Sequence, residues 1–147
     1  MPLQKNHIAP DFSMPDQDGN NHTLQDLLKE GPLVLFFYPK DDSPGCTRQA
    51  CSFRDHYAEL QASGVSVAGV SRDNAHSHRA FRDKHRLPYP LLTDLDGSVH
   101  KAYDVGGLLG FLTRRITYLI GEDQTILHVH EDNLKMSSHI RSVLRQL

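Results

Sequence analysis

The chain has 147 residues and a formal net charge of −2, from 16 basic and 18 acidic side chains. This balance offers no basic surface for nucleic acid or an anionic membrane, and the length fits one domain, over residues 1–147, with a core of its own. The longest apolar run, residues 33–38, is far shorter than the roughly 20 residues of a membrane span, and the amino terminus lacks a signal-peptide core. We therefore expect a cytosolic protein that binds neither nucleic acid nor membrane.

The first predicted elements lead to a buried strand. Residues 1–15, with three prolines, are expected to be an extended arm, and residues 16–21 have the Asp-Gly-Asn composition of a hairpin tip. A short helix follows over 24–29. Residues 33–38 are apolar at every position, which is typical of a central strand in a sheet covered on both faces.

The middle of the chain alternates helix and strand. We predict one helix over residues 46–62, because apolar side chains recur there at helical spacing. A strand over 65–71, a polar helix over 75–86 and a short edge strand over 88–92 follow. Edge placement is expected for the last because its prolines cannot donate to a ladder.

The last part predicts a hairpin and a closing helix. A short helix over 98–103 precedes a glycine-rich loop over 104–113, and strands over 115–120 and 125–130 form the hairpin. The final helix, over 137–147, has apolar residues on one face. This order predicts an α/β fold with a central mixed β-sheet flanked by helices and an N-terminal extension.

The chemistry of the sequence is concentrated between the first buried strand and the helix that begins near Cys46. Pro39 ends the strand because it lacks a backbone N–H, and residues 43–45 make a tight entry into the helix. A thiol in the first turn of a helix meets unpaired N–H groups and the positive end of the helix dipole. Both favour thiolate over thiol, so we predict that Cys46 is a reactive nucleophile.

The only other cysteine, Cys51, lies five positions further along the same predicted helix. In a continuous helix this spacing separates the two Cα atoms by roughly 8.6 Å. A disulfide needs Cα atoms within about 7 Å. Cys46 and Cys51 can therefore bond only if the first turns of the helix unwind, which predicts a redox-linked change from order to disorder.

The motif around Cys46 resembles that of a known family. Residues 39–46, PKDDSPGC, match the peroxiredoxin pattern Pro-x-x-x-Thr/Ser-x-x-Cys, and residues 38–51, YPKDDSPGCTRQAC, resemble its Q-type, bacterioferritin-comigratory branch. The resemblance extends to APDF at 9–12 and RITYLIGEDQ at 115–124. It implies a thioredoxin-like fold and a thiol peroxidase of the atypical two-cysteine type, without metal or organic cofactor. One variation is Ser43, where threonine is commoner in the family.

The resemblance also implies roles for individual residues. Cys46 would be the peroxidatic nucleophile, which becomes sulfenic acid, and Cys51 the resolving thiol that forms an intramolecular disulfide. Ser43 would hydrogen-bond the peroxide, and Pro39 would shield the sulfenate. The substrates would be hydrogen peroxide and organic hydroperoxides. Thioredoxin, or a similar dithiol, would reduce the disulfide. Because the resolving thiol is in the same helix, no partner subunit is needed, and we expect a monomer.

A remote arginine is also implied, and two adjacent candidates are present. Arg115 directly precedes the apolar strand residues, as in the family, so we expect it to supply the guanidinium. Arg114 is the alternative, since successive strand residues face opposite sides and only one of the two can reach the site. Gln49, three residues after Cys46, would orient that arginine.

Other interpretations compete with the peroxidase. The pairs His76 and His78, and His128 and His130, suggest a metal site, but neither brings further ligands with it, so we interpret them as surface polar residues. The apolar residues 108–112 are expected to form a lip over the site or a weak contact. Two alternative functions remain: a thioredoxin-like disulfide exchanger without peroxidase activity, and a structural Cys/His metal-binding domain.

Overall fold

A computed structural model describes residues 2–106 and 113–147 of the chain. In this part the chain alternates short strands and helices, as predicted. The elements, in chain order, are β1 Ser13–Pro15, β2 Asn21–Thr23, α1 Leu24–Leu27, β3 Leu33–Phe37, α2 Pro44–Asp55, α3 Tyr57–Ala62, β4 Ser66–Ser71, α4 Ala75–His85, β5 Leu91–Thr93, α5 Ser98–Ala102, β6 Ile116–Ile120, β7 Ile126–Glu131 and α6 Ser137–Leu144.

The main sheet has five strands in the order β5-β4-β3-β6-β7, with β3 at its centre. Strand β3 runs parallel to β4 and antiparallel to β6, while β5 is parallel to β4 at one edge and β7 is antiparallel to β6 at the other. The predicted mixed sheet with a central apolar strand is therefore confirmed. Strands β1 and β2 form a separate antiparallel hairpin.

Strand β3 is buried on both faces because helices and the amino-terminal arm cover the two sides of the sheet. Leu33, Leu35 and Phe37 face a core that includes α1, α5 and the arm. The residues that alternate with them face a second core, which contains Cys46 and side chains of α2, α4 and α6. Cys46 is therefore part of one of the two hydrophobic clusters.

The helix predicted over 46–62 is interrupted. It starts earlier, at Pro44, and a break at His56 divides it into α2 and α3. The imidazole Nδ1 of His56 lies 2.9 Å from the Ser52 carbonyl, so the side chain occupies the acceptor that the backbone N–H of His56 would use in a continuous helix. The helix that carries Cys46 is therefore a separate 12-residue unit. None of the helices in the described residues is long and apolar enough to cross a membrane.

Candidate active site

The site forms where β3 leaves the sheet. The Tyr38 N–H donates to the Val70 carbonyl at 3.1 Å, and Pro39 then ends the ladder. Pro44 opens α2, where its missing N–H costs no hydrogen bond. Cys46 is the third residue of the helix and 0% exposed, so its thiol lies among free N–H groups in a water-excluded setting.

Arg115 reaches this thiol from the neighbouring strand. Its Nη1 lies 3.0 Å from Cys46 Sγ. The sheet register explains the approach: Ile116 pairs with Phe37 across the antiparallel β3–β6 ladder, so residue 115 meets the chain just as it turns toward α2. Arg114 turns elsewhere, donating to the Asp104 carbonyl at 2.6 Å and pairing with Glu131 at 3.5 Å. Arg115 is therefore the arginine that faces Cys46.

Gln49 and Gly45 fix the position of the guanidinium. The Gln49 amide oxygen accepts a hydrogen bond from Arg115 Nη1 at 3.4 Å, and the side chain is fully buried. A Cβ atom on Gly45 would stand 2.8 Å from Arg115 Nη2, so glycine lets the guanidinium lie against the helix start without a shift of the arginine side chain. The Gln49 Nε2 has no hydrogen-bond partner in the part of the chain that the structure describes.

Ser43 and Pro39 border the site in the loop. The Ser43 hydroxyl donates to the Lys40 carbonyl at 3.0 Å instead of capping the helix. Its oxygen keeps lone pairs that can accept a hydrogen bond from a hydroperoxide O–H. Pro39 is half-buried and lies two residues after the end of β3. Its proposed shielding of the sulfenate stays a prediction.

Cys51 lies two turns into the same helix, and both cysteines are free thiols. Its side chain is half-buried. Burial raises the pKa of the Cys51 thiol, with a smaller opposing effect of Arg54. In the wound helix Cys51 is therefore a protonated thiol and a poor nucleophile at neutral pH. In the helix as it stands, Cys46 is buried in the core and Cys51 is half-buried, so the two thiols have different environments.

A buried polar network, which local sequence patterns did not predict, anchors the loop before α2. Asp41 accepts hydrogen bonds from the Tyr38 hydroxyl at 2.6 Å and the Ser77 hydroxyl at 2.8 Å, and its carboxylate lies 2.7 Å from Nδ1 of His78. The Asp41 N–H donates to the Asp73 carboxylate at 2.8 Å. These contacts hold the loop against α4. The residues that make them are distant in sequence, and only the folded chain brings them together.

This network contains three potential metal ligands, Asp41, Asp73 and His78, with ligand atoms within 4.8 Å of one another. Both ring nitrogens of His78 already have partners, the Asp41 carboxylate and the Leu92 carbonyl. A metal would have to displace one of them, so the cluster is better explained as an anchor. The interpretation of His78 as a surface residue was wrong, because its side chain is 0% exposed, whereas His76 is exposed and His128 and His130 are half-buried.

The segment behind Arg115 is held by the turn before α6. The Arg115 N–H donates to the Asn133 side chain at 2.9 Å, and its carbonyl accepts from the Asp132 N–H at 3.3 Å. Buried His139 links this turn to the sheet, with Nε2 2.8 Å from the Asp132 carbonyl and Nδ1 2.8 Å from the Thr117 hydroxyl. A neutral ring satisfies both contacts, since Nε2–H donates and Nδ1 accepts.

This neutral histidine predicts a loss of stability in mild acid. Burial lowers the pKa of His139 from 6.5 to about 4, and the hydrogen bond with the Asp132 carbonyl offsets only part of this effect. Because the unfolded chain takes up this proton first, the contribution is complete above about pH 6.5 and falls by about 3 kcal/mol as the pH drops toward 4. Urea unfolding between pH 7.5 and 4.5 measures it. The His139→Gln variant should lose less stability over the same interval, and an identical loss in both proteins would contradict the assignment.

The predicted apolar lip cannot be compared with the structure, because residues 107–112 lie outside the described residues. On either side of them, Gly106 and Thr113 form an isolated antiparallel bridge.

Comparison with known proteins identifies the family and the fold of this chain. A profile of the AhpC/TSA family matches residues 6–129. The chain is 38% identical to the chloroplastic peroxiredoxin Q of Gentiana triflora over 99% of its own length and 67% of that protein's, so it spans about two thirds of that relative. It resembles the structure of the peroxidoxin BcpB of Mycobacterium tuberculosis, with 37% identity, a TM-score of 0.92 and coverage of 98% of this chain and 96% of that one.

A third similar structure is that of a protein examined for its activity toward peroxides. The bacterioferritin comigratory protein of Xanthomonas campestris, whose structures were determined to examine its alkyl peroxide reduction activity, is 28% identical, with a TM-score of 0.83 and coverage of 91% and 88% of the two chains. These matches define the class as thioredoxin-like thiol peroxidases and confirm the predicted fold. The chain belongs to the AhpC/TSA family and, within it, to the peroxiredoxin Q proteins.

Proposed function

We propose that this chain is a thiol-dependent peroxidase that reduces hydroperoxides at Cys46. The observation that carries the proposal is the 3.0 Å contact between Arg115 Nη1 and a buried sulfur in the first turn of α2. A fixed cation and free backbone N–H groups lie beside this sulfur, where they can complement the negative charge of the thiolate that peroxide chemistry needs as its nucleophile.

In the first step the Cys46 thiolate attacks one oxygen of the hydroperoxide. The S–O bond forms as the O–O bond breaks, and the leaving oxygen becomes an alcohol or water after it takes a proton. Negative charge moves from sulfur to the leaving oxygen. Arg115 and the free N–H groups of α2 are donors already in place for that charge, so they stabilise the transition state without reorganising.

In the second step Cys51 resolves the sulfenic acid. Its thiolate attacks the Cys46 sulfur, the S–S bond forms, the S–O bond breaks, and hydroxide leaves as water after protonation. Because both cysteines lie in α2, the helix start must unwind before the sulfurs can meet. An external dithiol then restores both thiols by exchange.

The finer assignments extend this proposal. Organic hydroperoxides are included among the substrates because the Xanthomonas campestris relative was examined for alkyl peroxide reduction. Thioredoxin is the proposed reductant and a monomer the proposed state, since the resolving thiol is intramolecular. A cytosolic location is the proposal for this chain, although the curated plant relatives are named chloroplastic.

A coupled assay tests the proposal. Purified protein, reduced thioredoxin and its reductase are mixed, and thioredoxin oxidation is followed before and after hydrogen peroxide or an organic hydroperoxide is added. We expect oxidation only when a peroxide is present, with both substrates consumed. Disulfide exchange that proceeds equally without peroxide would favour the thioredoxin-like exchanger instead. Sedimentation of the reduced protein checks the monomer.

A further inference from the structure

The two halves of α2 are anchored to the rest of the molecule in different ways. In the second half, the Tyr89 hydroxyl donates to the Ala50 carbonyl at 2.7 Å, and both residues are buried. The Phe53 ring stacks on Phe36 of the central strand, with ring centroids 4.7 Å apart. Arg54 Nη1 donates to the His85 carbonyl at 2.7 Å. This half is therefore attached to the sheet, to α4 and to the segment before β5.

The first half has fewer such anchors among the described residues. Its side-chain hydrogen bonds to the rest of the molecule are those of Arg115 with Cys46 and Gln49. Gly45 weakens the helix because it has the largest backbone entropy to lose. The buried Gln49 Nε2 also lacks a partner there, and unwinding would release this amide to water. The first half is therefore the half that unwinds at the lower cost.

The Tyr89 contact lies at the boundary between these halves. In a helix, the Ala50 carbonyl accepts from the N–H of residue 54, which is the first backbone bond that survives if residues 44–49 unwind. The Tyr89 ring also packs edge-on against Phe36, with centroids 5.7 Å apart, so the hydroxyl is held from the sheet side. Burial, and secondly the nearby Cys51, raises the pKa of Tyr89 well above its usual range, so the phenol remains a donor.

From this arrangement we propose that Tyr89 is a positioning residue for the resolution step: its hydroxyl stops the unwinding of α2 at Ala50, so that Cys51 stays in place while Cys46 moves to it. The inference rests on the proposed function. With Cys51 held in place, only Cys46 has to move for the two sulfurs to meet. This keeps the effective concentration of the two groups high. Without the Tyr89 bond, unwinding continues past Ala50 and Cys51 becomes mobile as well.

The Tyr89→Phe variant tests this inference because it removes only the hydroxyl. After rapid mixing with hydrogen peroxide and quenching at set times, mass spectrometry with dimedone labelling follows Cys46 sulfenic acid and the disulfide separately. We expect sulfenic acid to form at the wild-type rate and its conversion to disulfide to be slower by about 2- to 10-fold, the loss of one buried hydrogen bond. At excess peroxide, the fraction of Cys46 oxidised to sulfinic acid should increase in proportion to the longer lifetime of the sulfenic acid.

Tyr103→Phe is the matched control. The Tyr103 hydroxyl donates to the Pro10 carbonyl at 2.6 Å, so this variant also loses one tyrosine–carbonyl bond in the folded protein, away from α2. Both rates should match the wild type. If Tyr89→Phe leaves the conversion to disulfide unchanged, makes it faster, or slows both steps equally, the positioning role is wrong. Absence of sulfenic acid in the wild type would instead refute the proposed function.

Amide exchange of the wild-type disulfide form provides a test that needs no variant. Unwinding of residues 44–49 removes the carbonyl acceptors of the backbone N–H groups of residues 47–53. The N–H groups of residues 54 and 55 keep their acceptors, which are the carbonyls of Ala50 and Cys51. We expect protection to be lost at 47–53 and kept at 54 and 55. Loss of protection at 54 and 55 in the wild type would overturn the proposed stop.

Discussion

Replacing Cys46 by serine should abolish peroxide turnover. A serine hydroxyl at the start of α2 has nearly the same size and hydrogen-bonding position, but it is not a nucleophile toward an O–O bond at neutral pH. We expect a decrease in turnover of at least about 1,000-fold, to the background rate of peroxide with the dithiol alone. Steady-state peroxide consumption, measured with thioredoxin or dithiothreitol as the reductant, gives the comparison.

Cys51→Ser is the control that separates the two cysteines. It removes the resolving thiol but leaves Cys46, Arg115 and the start of α2 as they are. We expect one rapid equivalent of peroxide consumption, accumulation of Cys46 sulfenic acid and no intramolecular disulfide. Full turnover in Cys46→Ser, or loss of the rapid equivalent in Cys51→Ser, would contradict the proposed division of roles.

The second large effect is expected at Arg115. In Arg115→Met the stem of the side chain remains, but the donor 3.0 Å from Cys46 Sγ is lost. Removal of one preorganised donor from a buried site of charge development costs about 100- to 1,000-fold in rate. We expect that decrease in the second-order rate constant for sulfenic acid formation, measured by stopped-flow peroxide competition. The conversion of sulfenic acid to disulfide should change much less and become faster, because the variant also removes the hydrogen bonds that hold the first half of α2 to Arg115.

Arg114→Met provides the adjacent control. It removes the same charge from the same stretch of chain, but Arg114 contacts the Asp104 carbonyl and Glu131 instead of the thiol. We expect sulfenic acid formation within about 3-fold of the wild type, as for a partly exposed ion pair of small energetic value. Equal losses in the two variants would mean that net charge, and not the contact with sulfur, determines the rate.

The parts of the site that are contiguous in sequence were predictable. The apolar run of β3, the proline that ends it, and a helix that carries Cys46 in its first turn all result from local chemistry, although the helix starts at Pro44 and not at Cys46. The helical spacing of apolar residues predicted that Cys46 and Cys51 lie in one helix, and they do lie together in α2. The choice of Arg115 over Arg114 came from the family resemblance, and the β3–β6 register supplies its physical reason.

The parts that depend on distant residues were not predictable. The break at His56 results from the His56 side chain, which occupies the Ser52 carbonyl that a backbone N–H would otherwise use. A pattern of apolar positions cannot reveal this contact. His78 was interpreted as a surface residue because the His76 and His78 pair has no further metal ligands beside it in the sequence. Its burial depends on Asp41, which is 37 positions away in sequence. Tyr89 contacts α2 across 39 positions, so neither its hydrogen bond nor its place at the helix boundary had a local signal.

The central claim is that Cys46 and Cys51 complete one redox cycle within a single chain whose helix must unwind. The most direct measurement is mass spectrometry of the protein after one equivalent of hydrogen peroxide, with free thiols alkylated before digestion. We predict that the intact monomer loses two hydrogens and that, after digestion, a disulfide joins the peptide with Cys46 to the peptide with Cys51. A link between two chains, or a Cys46 sulfinic acid with Cys51 still alkylated, would contradict the account.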